Sequence, residues 1–221
     1  MVWGYILGGI MFKKKTVLWV ALFATLSVSS AHAFSLGDIV DSARQAIGND
    51  SDSTETSVTQ SNPAKAGESR IAIGFSPEGS AQAAILEFIN SAQKEILVSA
   101  YSFTSPEIVR ALTQAKRRGV DVKIVVDYKG NTAKSSVAAM NLVVNAGIQI
   151  RTIQKYAIHH DKFIIVDRES VETGSFNYSK SANTRNSENV IILYNMPQVA
   201  TQYYSHWLSR WNDAQPWSSS Y

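Results

Sequence analysis

Residues 95–127, "EILVSAYSFTSPEIVRALTQAKRRGVDVKIVVD", decide the fold. "EILVSAYSF" is an apolar run of strand length. "SPEIVRALTQAKRRG" carries helix punctuation: Ser105 as N-cap, Pro106 at the first helical position and Gly119 just past the end. "VDVKIVVD" is a second apolar strand. Working outward, "RIAIGFS" alternates like a strand, and "SAQAAILEFINSAQK" places Ala84, Ile85, Phe88 and Ile89 on one helical face. Downstream, "NTAKSSVAAMNLVVNAG" reads as a helix ending at Gly147, and "IQIRTI" as a strand. The order β-α-β-α-β-α-β predicts an α/β domain with a mixed, largely parallel sheet. "HDKFIIVD" and "ESVETGS" then predict a hairpin joined to that sheet, and "NVIILY" a further strand. The last helix, "MPQVATQYYSHWLSRWND", spaces Val199, Tyr203, Trp207 and Trp211 to pack aromatics against it.

The 221 residues are 45% hydrophobic, enough to bury a core. The net charge of +3 is concentrated at the start. Residues 1–33 contain Lys13, Lys14 and Lys15, no arginine and no acid, so the remaining chain has 18 basic and 18 acidic residues. Those lysines, the apolar "TVLWVALFATLSVSS" and the small-x-small "AHA" at 31–33 form a signal-peptide pattern. Cleavage after Ala33 would leave Phe34 as the new N-terminus, outside the cytoplasm in the periplasm or medium, with no stable membrane insertion. A membrane anchor is the alternative, but the apolar run is short for a span of about 20 residues. Met1 and Met11 are both candidate starts. Residues 34–47 have the spacing of a short amphipathic helix. Residues 48–69 are rich in Ser, Thr, Asn, Asp and Gly and read as a linker. The folded domain is expected over 70–221. There is no cysteine, which excludes disulfides and thiolate chemistry.

The chemistry concentrates in "AIHHDKFIIVDRESVETGSFN", residues 157–177. Strand alternation puts His160 and Lys162 on one side and His159 on the other. Chelation of a metal by the adjacent histidines is therefore not expected, and no metal or cofactor is predicted. A histidine beside a lysine suits an anionic substrate. The lysine stabilises a phosphate oxygen, and the histidine attacks or transfers a proton. Gly174, Ser175 and Asn177 add a tight turn with a hydroxyl and an amide.

His160-x-Lys162-x4-Asp167-x6-Gly174-Ser175-x-Asn177 resembles the signature of the phospholipase D superfamily, spacing included. "GFSPEGSA", "AYSFTSPEIVRAL", "KRRGVDVKIVVD", "NSENVIILYNMP" and "HWLSRWN" look like its small, periplasmic, single-motif endonucleases. The resemblance runs from about Ile71 to the C-terminus; the 34–69 segment has no counterpart in those compact members. It implies helices on both faces of the sheet, one motif per chain and a phosphodiesterase that needs no metal. In such enzymes one histidine forms a phosphohistidine and a second protonates the leaving oxygen. Carried over by motif, the catalytic set is His160, Lys162, Asp167 and Glu188. Lys162, Ser175 and Asn177 would bind the phosphate. Glu188 resembles a family glutamate that hydrogen-bonds the catalytic histidine and sets its tautomer. Asp167 has the opposite strand parity from His160, which predicts a mainly structural role for it.

One motif leaves the second histidine to be found. The four histidines are His32, His159, His160 and His206, and only His160 lies in an H-x-K pattern. A C2 homodimer in which each subunit contributes His160 to a shared site solves this. The substrate stays open between DNA (or RNA) and phosphatidylcholine-type lipids, with a non-catalytic binding module as a third class. Residues 34–60 carry five acids and one base, so 61–221 are net positive. "KRRG" at 116–119, Lys123, Lys129, Lys134, Arg151, Lys155, Lys180 and Arg185 are candidates for a basic groove on DNA. No apolar mouth for a lipid stands out in the sequence of the domain.

Overall fold

The computed structural model describes residues 67–219; the signal-peptide pattern and the 34–47 helix lie outside them, as does most of the 48–69 linker. The first strand starts at Arg70, where the sequence pattern changes. The strands are β1 (Arg70–Ser76), β2 (Glu95–Ala100), β3 (Asp121–Asp127), β4 (Gln149–Ile153), β5 (Lys162–Val166), β6 (Ser170–Gly174), β7 (Glu188–Tyr194) and β8 (Gln215–Pro216). The helices are α1 (Ser80–Ser91), α2 (Pro106–Arg117), α3 (Lys134–Asn145), α4 (Lys180–Thr184) and α5 (Pro197–Asp213). Ser105 caps α2 as its spacing predicts, its side chain accepting from the amide of Ile108.

Among the described residues the strands form one sheet in the order β1-β7-β6-β5-β2-β3-β4-β8. The expected mixed α/β sheet is present, and β2, β3 and β4 pair in parallel. The parallel part is narrower than the alternation suggested. The β5–β6 hairpin and β7 insert between β2 and β1, so β1 pairs antiparallel with β7. The sequence also gave no sign of β8, which closes the other edge against β4.

Helices cover both faces. On one, α1, α2 and α3 bury Ile85, Phe88, Ile108, Leu112 and Met140 against Ile96, Val98, Ile124 and Ile164. On the other, α5 buries Trp207 and Trp211 against Leu97, Val125, Phe163 and Ile165. Burying each such side chain stabilises the fold by about 1.5–3 kcal/mol. The Trp207 indole N–H, which would otherwise be orphaned, donates to the Val98 carbonyl at 2.9 Å. Gly74 lets α1 approach β1: a Cβ there would stand 2.8 Å from the Ala81 Cα.

Candidate active site

The two halves of the motif meet because β5 and β6 are antiparallel neighbours. Phe163 lies opposite Thr173, and the Thr173 hydroxyl donates to the Lys162 carbonyl at 3.1 Å. Gly174 is required by the next strand, since a Cβ would stand 2.2 Å from the Asn189 carbonyl oxygen. At this end of the sheet a cleft of about 440 Å³ is lined by His160, Asp161, Lys162, Thr173, Gly174 and Tyr203, among others.

His160 is exposed and precedes β5 rather than lying within it. The separation expected from strand parity holds for a different reason. The His159 amide donates to Asp127 Oδ2 at 2.8 Å, and the His159 ring is buried with Nε2 2.9 Å from Ser99 Oγ. Burial lowers the His159 pKa from its ordinary value, against the opposing charges of Asp161 and Asp127. His160 is left facing the cleft, its ring centroid 4.8 Å from that of Tyr101.

Lys162 is buried, and its Nζ donates to the His160 carbonyl at 2.9 Å. It lies 5.5 Å from the Tyr101 ring centroid. Burial lowers its pKa, opposed by the charges of Glu188 and Asp161. A desolvated ammonium of this kind binds an anion strongly, because little water must be displaced.

The other motif residues fall in different places. Asp167, placed in the catalytic set by the motif, sits at the other end of β5. Its carboxylate accepts from the amides of Gln93, Lys94 and Glu95 at 2.9, 2.7 and 2.9 Å, away from the cleft. Glu188 does not bond His160 within the chain. Its oxygens accept from the Ser175 hydroxyl at 2.6 Å and the Asn186 amide at 2.8 Å. Ser175 and Asn177 follow Gly174, which lines the cleft. The buried Oδ1 of Asn177 has no hydrogen-bond partner, so this amide is unspent.

The sequence missed Asp161 and His206. His206, on α5, lines the cleft, and its Nε2 lies 2.7 Å from Asp161 Oδ2. The same oxygen is 3.7 Å from His159 Nδ1. Asp161 thus holds the histidine loop between β5 and α5. No H-x-K spacing marks His206, and only the docking of α5 brings it here. Among the described residues no three His, Asp or Glu side chains are grouped to hold a metal ion.

The basic residues separate. "KRRG" ends α2 and leads into the start of β3, which pairs with the start of β2 beside Asp167, away from the cleft. Lys123 pairs with Asp121, Lys155 with Asp213, and Arg151 stacks on Trp211. Lys129, Lys134, Lys180 and Arg185 are exposed on segments that follow β3 and β6, at the His160 end. The structure also shows an apolar surface that the sequence did not announce. Ile71, Ile73 and Phe75 on β1 are 56, 61 and 54% exposed.

Comparison with known proteins gives consistent matches. The family model described as cardiolipin synthase, PLD-like domain, matches residues 85–211. The crystal structure of the phospholipase D family member Nuc from Salmonella typhimurium matches with a TM-score of 0.68 and 51% identity, covering 69% of this chain and 100% of that one. A phospholipase D from Rickettsia bellii is 34% identical over 64% of this chain and 69% of its own. The mitochondrial cardiolipin hydrolase of Danio rerio is 32% identical over 60% of this chain and 57% of its own.

Proposed function

From the premise that this chain belongs to the phospholipase D superfamily and is a phosphodiester hydrolase, we propose that it is an exported, metal-independent endonuclease that cleaves DNA with little regard for sequence. The observation that carries the reading is the exposed His160 beside the buried Lys162 in one open cleft, with Lys129, Lys134, Lys180 and Arg185 exposed at the same end of the sheet. Such cations neutralise backbone phosphates without reading bases. Resemblance to the compact single-motif endonucleases supports the same substrate.

In the proposed reaction, His160 attacks phosphorus. The new N–P bond forms as the P–O bond to the leaving alcohol breaks, and a second histidine gives that oxygen its proton. Water then attacks the phosphohistidine, passes its proton to the second histidine and releases a phosphate monoester with His160 restored. Lys162 holds a non-bridging oxygen throughout. The second histidine is His160 of another copy, in a C2 homodimer with a shared site.

A phospholipase D acting on phosphatidylcholine-type lipids is the second reading, favoured by the exposed apolar stripe on β1. The purified chain, incubated in EDTA with plasmid DNA and separately with phosphatidylcholine vesicles, separates the two. DNA degradation that disappears in His160→Ala is the expected result, weakening as salt rises. Choline release without DNA cleavage would overturn it.

A further inference from the structure

The loop between β4 and β5 carries a cation–aromatic cluster that the steps at His160 leave without a role. Tyr156 precedes His160 by four residues, so even an extended chain keeps the two within about 14 Å. α5 reaches this loop. Its Tyr203 and His206 line the cleft, and Arg210 stands one turn beyond His206, about 6 Å along the axis and on the same side of the helix. The Arg210 guanidinium lies 4.8 Å from the Tyr156 ring centroid, and Lys155 Nζ lies 6.0 Å from the same ring. Burial lowers the His159 pKa and the Arg210 charge lowers it further, so this guanidinium stands within electrostatic reach of the histidine loop.

The two cations are not equally committed. Lys155 donates to both Asp213 oxygens, at 3.0 and 2.9 Å, and the Tyr156 hydroxyl donates to the same carboxylate at 3.3 Å. That carboxylate is spent, and with Lys155 it is close to neutral. Arg210 Nη1 donates to the Ser209 hydroxyl at 2.8 Å, and among the described residues no carboxylate forms an ion pair with Arg210. Stacking on Tyr156 occupies the face of the guanidinium and leaves most of its N–H edge open. That edge matches two oxygens of one phosphate in parallel. Tyr156 is itself held, by Asp213 and by packing on the core under α5. The guanidinium is therefore placed before any anion arrives, which reduces the ordering cost of binding.

We propose that Arg210, seated on Tyr156, is a second phosphate site, which holds a neighbouring phosphodiester of the nucleic-acid strand whose scissile phosphate lies at Lys162. The inference rests on the nuclease reading and gives that reading a means of choosing its substrate. A nucleic-acid strand carries a phosphate about every 3.4 Å of duplex axis, so it presents further phosphates over the reach from His160 to Tyr156. A phospholipid with one phosphodiester leaves Arg210 unused. The contact is to the backbone, so it favours a polymer without reading its bases. The exposed Tyr156–Lys155 side of the cluster lets the strand continue past Arg210 without meeting a free carboxylate.

The test is a ratio measured on the full chain: kcat/KM per bond for a long oligothymidylate over kcat/KM for thymidylyl-thymidine, which has a single phosphodiester. The wild type is expected to favour the long strand by about 10- to 100-fold, the worth of one charged hydrogen-bonded contact, and to lose that preference as salt rises. Arg210→Gln is expected to bring the ratio close to one. Arg210→Lys keeps the charge without the planar fork and should fall part way, which covers the case in which glutamine loosens the end of α5. Tyr156→Leu should lower the ratio by less than Arg210→Gln, since it frees the guanidinium without removing it. A folded Arg210→Gln or Arg210→Lys with the wild-type ratio overturns the second site and leaves the nuclease reading intact. An equal loss on both substrates assigns Arg210 to holding the histidine loop and overturns the site as well. A wild-type chain that hydrolyses bis(p-nitrophenyl) phosphate but neither nucleotide substrate overturns the nuclease reading, and the site with it.

Discussion

The two ends of β5 carry parts of one motif and are built in opposite ways. At the C-terminal end, Asp167 turns through a φ of 54°, and three amides saturate its carboxylate. The next residue, Arg168, pairs with Glu95 and stacks 3.4 Å from the Tyr204 ring centroid. At the N-terminal end, His160 is exposed and Lys162 has lost much of its water. Asn177, beyond the neighbouring strand, keeps an oxygen unpartnered. The spacing between His160 and Asp167 is thus the length of one short strand. It ties a chemically unsatisfied end to a fully satisfied one, and the second holds the first in place.

Paired substitutions give the largest expected effect. His160→Ala should reduce turnover by about 10⁴-fold or more, as loss of a nucleophile does, and leave the urea midpoint unchanged. Asp167→Ala should do the reverse. It leaves three amides without their charged acceptor, costing about 2–3 kcal/mol in a urea titration, while the folded fraction turns over normally. Asp167→Asn should cost less, because asparagine tolerates positive φ and keeps one acceptor oxygen. A fully folded Asp167→Ala with no activity would move this residue into the chemistry and end the contrast.

How well the sequence disclosed each feature follows from how local its cause is. The α2 cap at Ser105 and Pro106, the βαβ unit and the β5–β6 hairpin depend on neighbours in the chain, and all could be read from it. The position of β7 between β6 and β1 depends on a distant pairing that alternation cannot encode. "KRRG" looked as useful to DNA binding as Lys129 or Arg185 until strand direction put it at the Asp167 end. The apolar residues of β1 read as ordinary alternation, since a strand pattern does not say which face is covered.

The Asp161–His206 contact was hidden for the same reason, and it gives the next prediction. Asp161 is fastened to α5 by His206, and the His159 amide to β3 by Asp127, so His160 is held from both sides. Asp161→Ala should lower kcat by about 10- to 100-fold with KM little changed, since small misplacements of a reacting group are costly. His206→Gln should be milder, because its amide can still donate to Asp161, whereas His206→Ala should match Asp161→Ala. A change confined to KM would instead mean that His206 touches the substrate directly.

The smallest effect on turnover, none at all, is expected for a group in the middle of the sheet, at neither end. Glu172 on β6 is 1% exposed and accepts a hydrogen bond from the Tyr178 hydroxyl at 2.8 Å. Burial pushes its pKa up to about 8, against the opposing effect of that hydrogen bond. The folded value is above the unfolded value of 4.5, so the folded chain keeps a proton that the unfolded chain has released. Stability should therefore fall as pH rises from about 5 to about 8, by at most about 1.4 kcal/mol per pH unit, and level off outside that window. Glu172→Gln removes the ionisation and keeps an acceptor for Tyr178, at the cost of one poorly partnered amide N–H₂. The two stability curves should cross: the wild type is favoured near pH 5 and the variant near pH 8. Parallel curves across that range would mean that Glu172 is ionised in the folded chain and that the polar pair is solvated. Turnover should not follow the crossing, because Glu172 faces the α1–α3 side of the sheet and the cleft opens toward α5.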